Sequence, residues 1–357
     1  MKRNIAIIAG GDSSEHDVSL RSAAGLYSFM DKERYDITIV VFDGKKWVAY
    51  PQPLPEGKGV EEYFASGETC PIDKNDFSFT RGGVKHTFDF AYITIHGTPG
   101  ENGILQGYLE MLGIPYSCCN VLAAALTFNK YTCNHYLAGF GFHIAPSILL
   151  RRQPGQTSIS YQPSEIIDKV GLPCFIKSNV GGSSFGCTKV KTVEDVYPAI
   201  ERAFREGDEV ICESFMQGTE VTCGVYKTKE KAVAFPITEV VTHNEFFDYD
   251  AKYKGQVDEI TPARIPDAVR DKIQAETLRL YDIIGAQGII RVDWIITKKP
   301  TPTLPEGKEN DLNDVQLNLL EVNTTPGMTA TSFIPQQVRA AGLDIKDVLT
   351  DIIENKL

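Results

Sequence analysis

The chain has 357 residues, a formal net charge of −11, 42% hydrophobic residues and 23% charged residues. That length supports two or three separate cores, and the composition is that of an ordinary soluble globular protein. The acidic balance excludes a general nucleic-acid binder, which carries a basic patch or a high pI. No apolar run reaches the roughly 18 residues that a transmembrane helix needs.

Residues 4–9 (NIAIIA) read as a fully buried strand that stops at Gly10-Gly11, too short a run for the hydrophobic segment of a signal peptide. Ser13 or Ser14 is a candidate N-cap, residues 18–30 a helix and 35–42 a second strand. This βαβ opening predicts a parallel sheet. Residues 43–88 are turn-rich and predict a small hairpin excursion. A strand at 88–95 ends at His96-Gly97, a helix at 103–112 is stopped by Gly113-Ile114-Pro115, and two more helices span 121–128 and 129–139. From about 146, strands (147–150, 174–177, 188–190, 209–213) alternate with helices (164–170, 192–205) in a compact α+β unit. The last third is rich in β structure, near 219–226, 232–236, 288–297 and 316–322, and two amphipathic helices close the chain at 332–341 and 345–355. The polar, Pro-rich stretch 298–314 reads as an exposed loop. The eight cysteines are scattered, with no CxxC or zinc spacing, and read as small buried hydrophobes.

Two strands carry polar residues where a core strand has no use for them. In LLEVN, Glu321 and Asn323 stand at i and i+2, so they leave one face together. In IIRVDW, Arg291 and Asp293 do the same. If the two strands pair, two carboxylates, an amide oxygen and a guanidinium converge. Charges are seldom buried on a core strand without a partner or a metal, and hard oxygen donors of this kind suit Mg²⁺ with a nucleotide phosphate.

Other segments point the same way with less force. FIKSNVGGSSFG is a strand ending in Lys177, then a Gly- and Ser-rich loop able to present N–H groups to phosphate. The spacing is not that of a Walker A loop, and a plain hairpin would also explain it. ESFMQGTE, from Glu213 to Glu220, follows an apolar strand and suits a hinge beside an adenine and its ribose. The turns GGDSSE and HGTPGENG end strands where open α/β sheets bind ligands, and each carries a glutamate, Glu15 and Glu101. NEFFDYDAKY, with Tyr253 at its end, is too aromatic for disorder and reads as a closing lid.

Taken in order, GGDSSEHDVSL, HGTPGENGILQGYLE, IPYS, NK, FIKSNVGGSSFG, ESFMQGTE, FFDYDAKY, RVDW and LLEVNTTPGMTATSF resemble the D-alanine–D-alanine ligase family of the ATP-grasp superfamily over nearly the whole chain. The resemblance implies an α/β and α+β fold of three domains. These are a Rossmann-like unit at 1–118, a central unit at 119–214, and a C-terminal unit at 215–357 with its lid at 243–257. It implies ATP and D-alanine as substrates, two Mg²⁺ or Mn²⁺, K⁺ as an activating ion, a homodimer, and a cytoplasmic place in peptidoglycan precursor synthesis, without nucleic acid or membrane. Lys130, Lys177 and Ser184 would meet the ATP phosphates, with Lys252 reaching in from the lid. Glu213, Phe215, Met216 and Glu220 would hold adenosine, and Asp293, Glu321 and Asn323 the metal ions. Glu15 would bind the first D-alanine's ammonium, joined to Ser183 and Tyr253 in a network that pins the lid, with His96 beside the substrate. Arg291 and the Gly327 N–H would hold the oxyanion. Ser332, near Phe333 and helped by Lys252, would take the second carboxylate.

Three positions depart from the family's usual pattern: Ser178 after Lys177, Gly181 in the loop, and Asn129 before Lys130. A ligase making an ester with D-lactate is the nearest rival, and Tyr253 in the lid argues against it. Another carboxylate–amine ligase and a non-catalytic nucleotide-binding module are the remaining alternatives. The second would have lost Arg291, Asp293 or Glu321, and all three are present.

Overall fold

The computed structural model describes residues 2–55, 60–152, 161–182, 185–242, 257–298 and 314–357. The opening is parallel, as expected. Strand Arg3–Gly10 lies between Tyr35–Asp43 and Phe90–Ile93, parallel to both. Ile5, Ile7 and Ala9 face one core, and Ala6 and Ile8 face another. Both faces are therefore covered, as parallel strands require. Helix His16–Phe29 supplies Ala23 and Leu26 to the first core, and helix Ile104–Leu112 supplies Leu105 and Leu109 to the second.

The expected hairpin excursion is instead an extension of this sheet. Lys46–Tyr50, Cys70–Asp73, Ser78–Arg81 and Val84–His86 add to it one after another, all antiparallel. Aromatic side chains explain the difference. Phe42 stacks on Trp47 with centroids 3.9 Å apart, and Phe77 and Phe79 join the same core, so the segment has enough apolar area to pack.

A four-stranded antiparallel sheet follows, in the order Thr188–Val190, Cys174–Ser178, Glu209–Ser214, Ser147–Arg151. Helices Pro163–Val170 and Val196–Ala203 cover one face, and the unit has a core of its own. The third sheet has seven strands, one of which, Ala232–Ala234, pairs only with Thr219–Lys227 off the main order. Its centre is Thr219–Lys227, Ile289–Lys298 and Val315–Asn323, with Thr238–Thr242 and Val257–Ile260 on one side and His143–Ile144 on the other.

The β-rich last third also contains a 17-residue helix, Asp267–Ile283, outside the expected elements. Val269, Ile273, Thr277 and Leu280 recur every three or four residues, the helical period, between charged residues that mask the stripe. Thr277 accepts a hydrogen bond from the indole of Trp294 at 3.1 Å, fixing the helix on the sheet. Helices Val121–Phe128 and Lys130–Ala138 place Ala123, Ala124, Cys133 and Leu137 in this same core, although they precede the four-stranded sheet in the chain.

The first and third units share a core. Ile5, Ala23 and Leu26 pack in one cluster with Met328, Ile334, Val338 and Leu349. The approach is close enough that a Cβ on Gly25 would stand 2.1 Å from the Met328 carbonyl oxygen. All eight cysteines are free, seven of them buried. Among the described residues no helix is long and apolar enough to cross a membrane.

Candidate active site

A cavity of about 750 Å³ lies between the four-stranded and seven-stranded sheets, closed at one end by the first unit. Of the expected residues it gathers Glu15, Lys130, Lys177, Glu213, Phe215, Met216, Glu220, Arg291, Asp293, Glu321 and Phe333. Asn323, Gly327, Ser332 and His96 do not line it. Ser183, Ser184, Lys252 and Tyr253, with the expected lid and the 298–314 loop apart from their end residues, lie outside the described residues.

The wall on the seven-stranded sheet forms because the two polar strands do pair. Asp293 stands opposite Glu321, and Arg291 opposite Asn323, with a β-bulge just after Asp293. Arg291 grips Asp293 through Nε at 2.9 Å and Nη2 at 2.8 Å, with both residues buried. Burial opposes the guanidinium charge, but Asp293, with Glu321 and Glu101 further off, outweighs it and holds Arg291 above its ordinary range. The fork spends two of the five guanidinium N–H donors on Asp293. The ring of Phe333 lies 5.3 Å from the guanidinium carbon. Burial, with Asp293 and Glu321 nearby, pushes the Glu220 carboxyl up to about 7.

The opposite wall carries a second pair, with Glu213 buried and Lys177 partly so. Lys177 Nζ lies 2.5 Å from the Glu213 carboxylate on the neighbouring strand. Burial works against the Lys177 charge, and Glu213, Cys187 and Glu321 more than offset it, so its pKa is raised. Cys187 also lines the cavity, its thiol pushed up to about 11 by burial, which leaves it neutral. Lys130 bridges the walls: its Nζ donates to the Gly181 carbonyl and stands 3.7 Å from Glu321.

The three departures from the family pattern have local accounts. Gly181 has φ +106°, which L-residues rarely adopt. The Ser178 hydroxyl donates to the Val180 carbonyl at 2.6 Å, bracing the loop from within. Asn129 caps helix Lys130–Ala138 by accepting from the Thr132 N–H, and its amide donates to Glu209 at 3.1 Å. An aspartate would keep the cap and set a second carboxylate against Glu209.

Sequence reasoning missed two residues of the cavity, one on each wall. A Cβ on Gly182 would stand 2.6 Å from Glu15 Oε2, so the glycine lets the loop touch the first unit's carboxylate. Only the three-dimensional approach reveals that. Thr222 lies directly across from Asp293, lines the cavity and has a buried hydroxyl without a partner among the described residues. Its spacing of i+2 from Glu220 was the available signal.

Glu15 is buried at the N-cap of helix His16–Phe29. His96 is buried too, its ring 3.3 Å from the Ser22 hydroxyl. Ser332 precedes the start of helix Phe333–Ala340, its Oγ 2.7 Å from the Thr329 hydroxyl, and a Cβ on Gly327 would come within 2.9 Å of it.

Among the described residues no three His, Cys, Asp or Glu side chains form a ready metal cluster. The donors of the pairing strands still fit a magnesium-like ion, which takes one or two carboxylates and completes its shell with water and phosphate oxygens. Asp293, Glu321 and Asn323 are such a set.

Residues 4–119 match the family model described as D-ala D-ala ligase N-terminus, and residues 136–354 the one described as D-ala D-ala ligase C-terminus. A D-alanine--D-alanine ligase of Phocaeicola vulgatus is 61% identical over 356 residues, covering 100% of both chains. Among solved structures, the VanG D-Ala:D-Ser ligase of Enterococcus faecalis aligns over 100% of both chains with TM-score 0.79 and 28% identity. A D-alanine-D-alanine ligase of Coxiella burnetii aligns over 99% of this chain and 94% of its own, with TM-score 0.80 and 25% identity. Motif order, sheet architecture and these full-length matches agree, and the chain belongs to the D-alanine–D-alanine ligase family, with its ATP-grasp fold.

Proposed function

We propose that this chain joins two D-alanines at the expense of ATP, through an acyl phosphate. The observation that carries the reading is the paired-strand wall, where Arg291, Asp293 and Glu321 face Lys177 and Glu213 across one cavity. A carboxylate oxygen of the first D-alanine attacks the γ-phosphorus, and ADP leaves. The second D-alanine's amine attacks the resulting carbonyl and loses a proton, and phosphate departs with the carboxylate oxygen.

Both steps gather negative charge in a confined space, where fixed cations act strongly. Lys130, Lys177 and Ser184 hold phosphate oxygens, and Glu213, Glu220 and the backbone at Phe215 and Met216 hold adenosine. Asp293, Glu321 and Asn323 would hold divalent ions, whose chemistry when bound is to neutralise the phosphates. Glu15 holds the first ammonium, with His96 beside it. The donors of Arg291 not engaged by Asp293, with the Gly327 N–H, face the developing oxyanion. Ser332, Phe333 and Lys252 receive the second carboxylate. Ser183 and Tyr253 join Glu15 in closing the lid, because an acyl phosphate must be kept from water. A homodimer in the cytoplasm, activated by K⁺, completes the reading.

The test is phosphate release from Mg·ATP with D-alanine, L-alanine, D-lactate or D-serine, and mass detection of the product. D-alanine-dependent release with a dipeptide product is expected. A mixed product made only when D-serine or D-lactate is present would overturn the choice of second substrate. Release with none of the four would overturn the reading itself.

A further inference from the structure

Glu101 does not line the cavity, yet it lies where the first and third units meet beside it. Its Oε2 accepts from the Gly97 N–H at 2.7 Å. Gly97 has φ +77°, and a Cβ there would stand 2.8 Å from the Ser13 Cβ, so this turn rests directly on Ser13. The Ser13 hydroxyl donates to the His96 carbonyl at 2.6 Å and accepts from the Glu15 N–H at 3.2 Å. On its other side Glu101 stands beside the Thr325 side chain. The Thr325 N–H donates to Asn323 Oδ1 at 3.1 Å, and its hydroxyl reaches the Ile95 carbonyl at 3.4 Å. One carboxylate thus ties the backbone that carries Glu15 to the loop that leaves Asn323.

We propose that Glu101 is a positioning residue that sets Glu15 and Asn323 in register, and with them the first D-alanine's ammonium and the phosphate-binding strand. The inference rests on the ligase reading above. A salt-bridge role would call for a directly paired cation, and Glu101 instead accepts from the Gly97 N–H. The charged groups around it are Glu15 at the N-cap of the first helix, Lys130 at the start of its helix and Arg291 on its strand, with the buried Cys118 thiol also near. Burial and then Glu15 push the Glu101 carboxyl up to about 7, against Thr325 and the Gly97 N–H. The sign follows. A folded-state pKa above the unfolded one means that stability is lost as pH rises through the folded value. Keeping a carboxylate here costs stability near neutral pH, where a glutamine of the same shape would not.

The experiment is ADP release by E101A and E101Q at saturating Mg·ATP, with D-alanine varied from about pH 6 to about pH 9. E101A should lower kcat/KM for D-alanine roughly tenfold, as loss of a supporting hydrogen-bond shell does, with KM for ATP within about twofold. E101Q keeps the shape and one acceptor. It should recover most of that loss. E101Q should also melt at or above the wild type when pH exceeds about 7. An unchanged D-alanine dependence in E101A would overturn the proposal. So would parallel losses for ATP, D-alanine and thermal stability with no recovery in E101Q, the pattern of a purely structural residue. If E101A does not fold, E101D decides, its side chain too short to span both neighbours, and a D-alanine dependence like that of the wild type counts against. Wild type that fails to turn over D-alanine would sink the ligase reading, whereas active wild type with a wild-type-like E101A would sink only this proposal.

Discussion

The two walls of the cavity each carry a cation–carboxylate pair, built differently. Arg291 and Asp293 sit on one strand, locked by a two-pronged bond, in a sheet whose outer helices share a core with the first unit. Lys177 and Glu213 sit on neighbouring strands, joined through a single ammonium, in a unit with a separate core. A planar fork fixes direction, and an ammonium fixes only charge. Units with separate cores can move relative to one another. On the proposed function, the anchored wall suits the reacting centre and the wall with its own core suits nucleotide capture.

Substitutions on the two walls should therefore fail in different ways. The largest effect is expected from Glu321→Gln, which removes a carboxylate facing Asp293, Arg291 and Lys130. Turnover should fall by roughly a thousandfold with little change in melting temperature, and near-normal steady-state rates would break the metal assignment. Lys177→Met comes next. It leaves Glu213 buried without its cation, at about 3–5 kcal/mol of stability. KM for ATP should rise far more than KM for D-alanine, and equal rises would erase the distinction between the walls.

Gly182→Ala probes the seam between loop and first unit. The backbone there tolerates a side chain, so the effect comes from the 2.6 Å approach to Glu15 alone. About 1–3 kcal/mol of overpacking should appear as weakened D-alanine use, read from substrate-saturation curves, with ATP use preserved. Unaltered D-alanine kinetics would detach Glu15 from the first substrate. Asn129→Asp should do least. The cap survives and Glu209 gains a like-charged neighbour, which Arg151 at 2.6 Å partly offsets. A loss of about 1 kcal/mol or less is expected in chemical denaturation, and a stability gain would contradict the role given to the Asn129 amide.

The chemistry of the anchored wall was legible in the sequence because it is local. Two residues at i and i+2 on an apolar strand announce their shared face, and only the pairing of the strands had to be supplied. The nucleotide wall was legible in part. Lys177 and Glu213 stand out singly, but their contact depends on an antiparallel register between strands separated by a loop, another strand and a helix. Helix Asp267–Ile283 was missed because its stripe is diluted by charge, and the extension of the first sheet because its strands are short and its core is aromatic rather than aliphatic. Contacts such as Gly182 on Glu15, or Glu101 between Gly97 and Thr325, join residues far apart in the chain and have no signature along it.

The most direct test of the account follows the oxygen. D-alanine carrying heavy oxygen in its carboxylate should be supplied with Mg·ATP, and both products weighed. Transfer of one labelled oxygen to each phosphate released, with one dipeptide formed, is the predicted result, since the carboxylate oxygen that attacks phosphorus leaves with it. Unlabelled phosphate alongside dipeptide would contradict the acyl phosphate and the roles given to both walls.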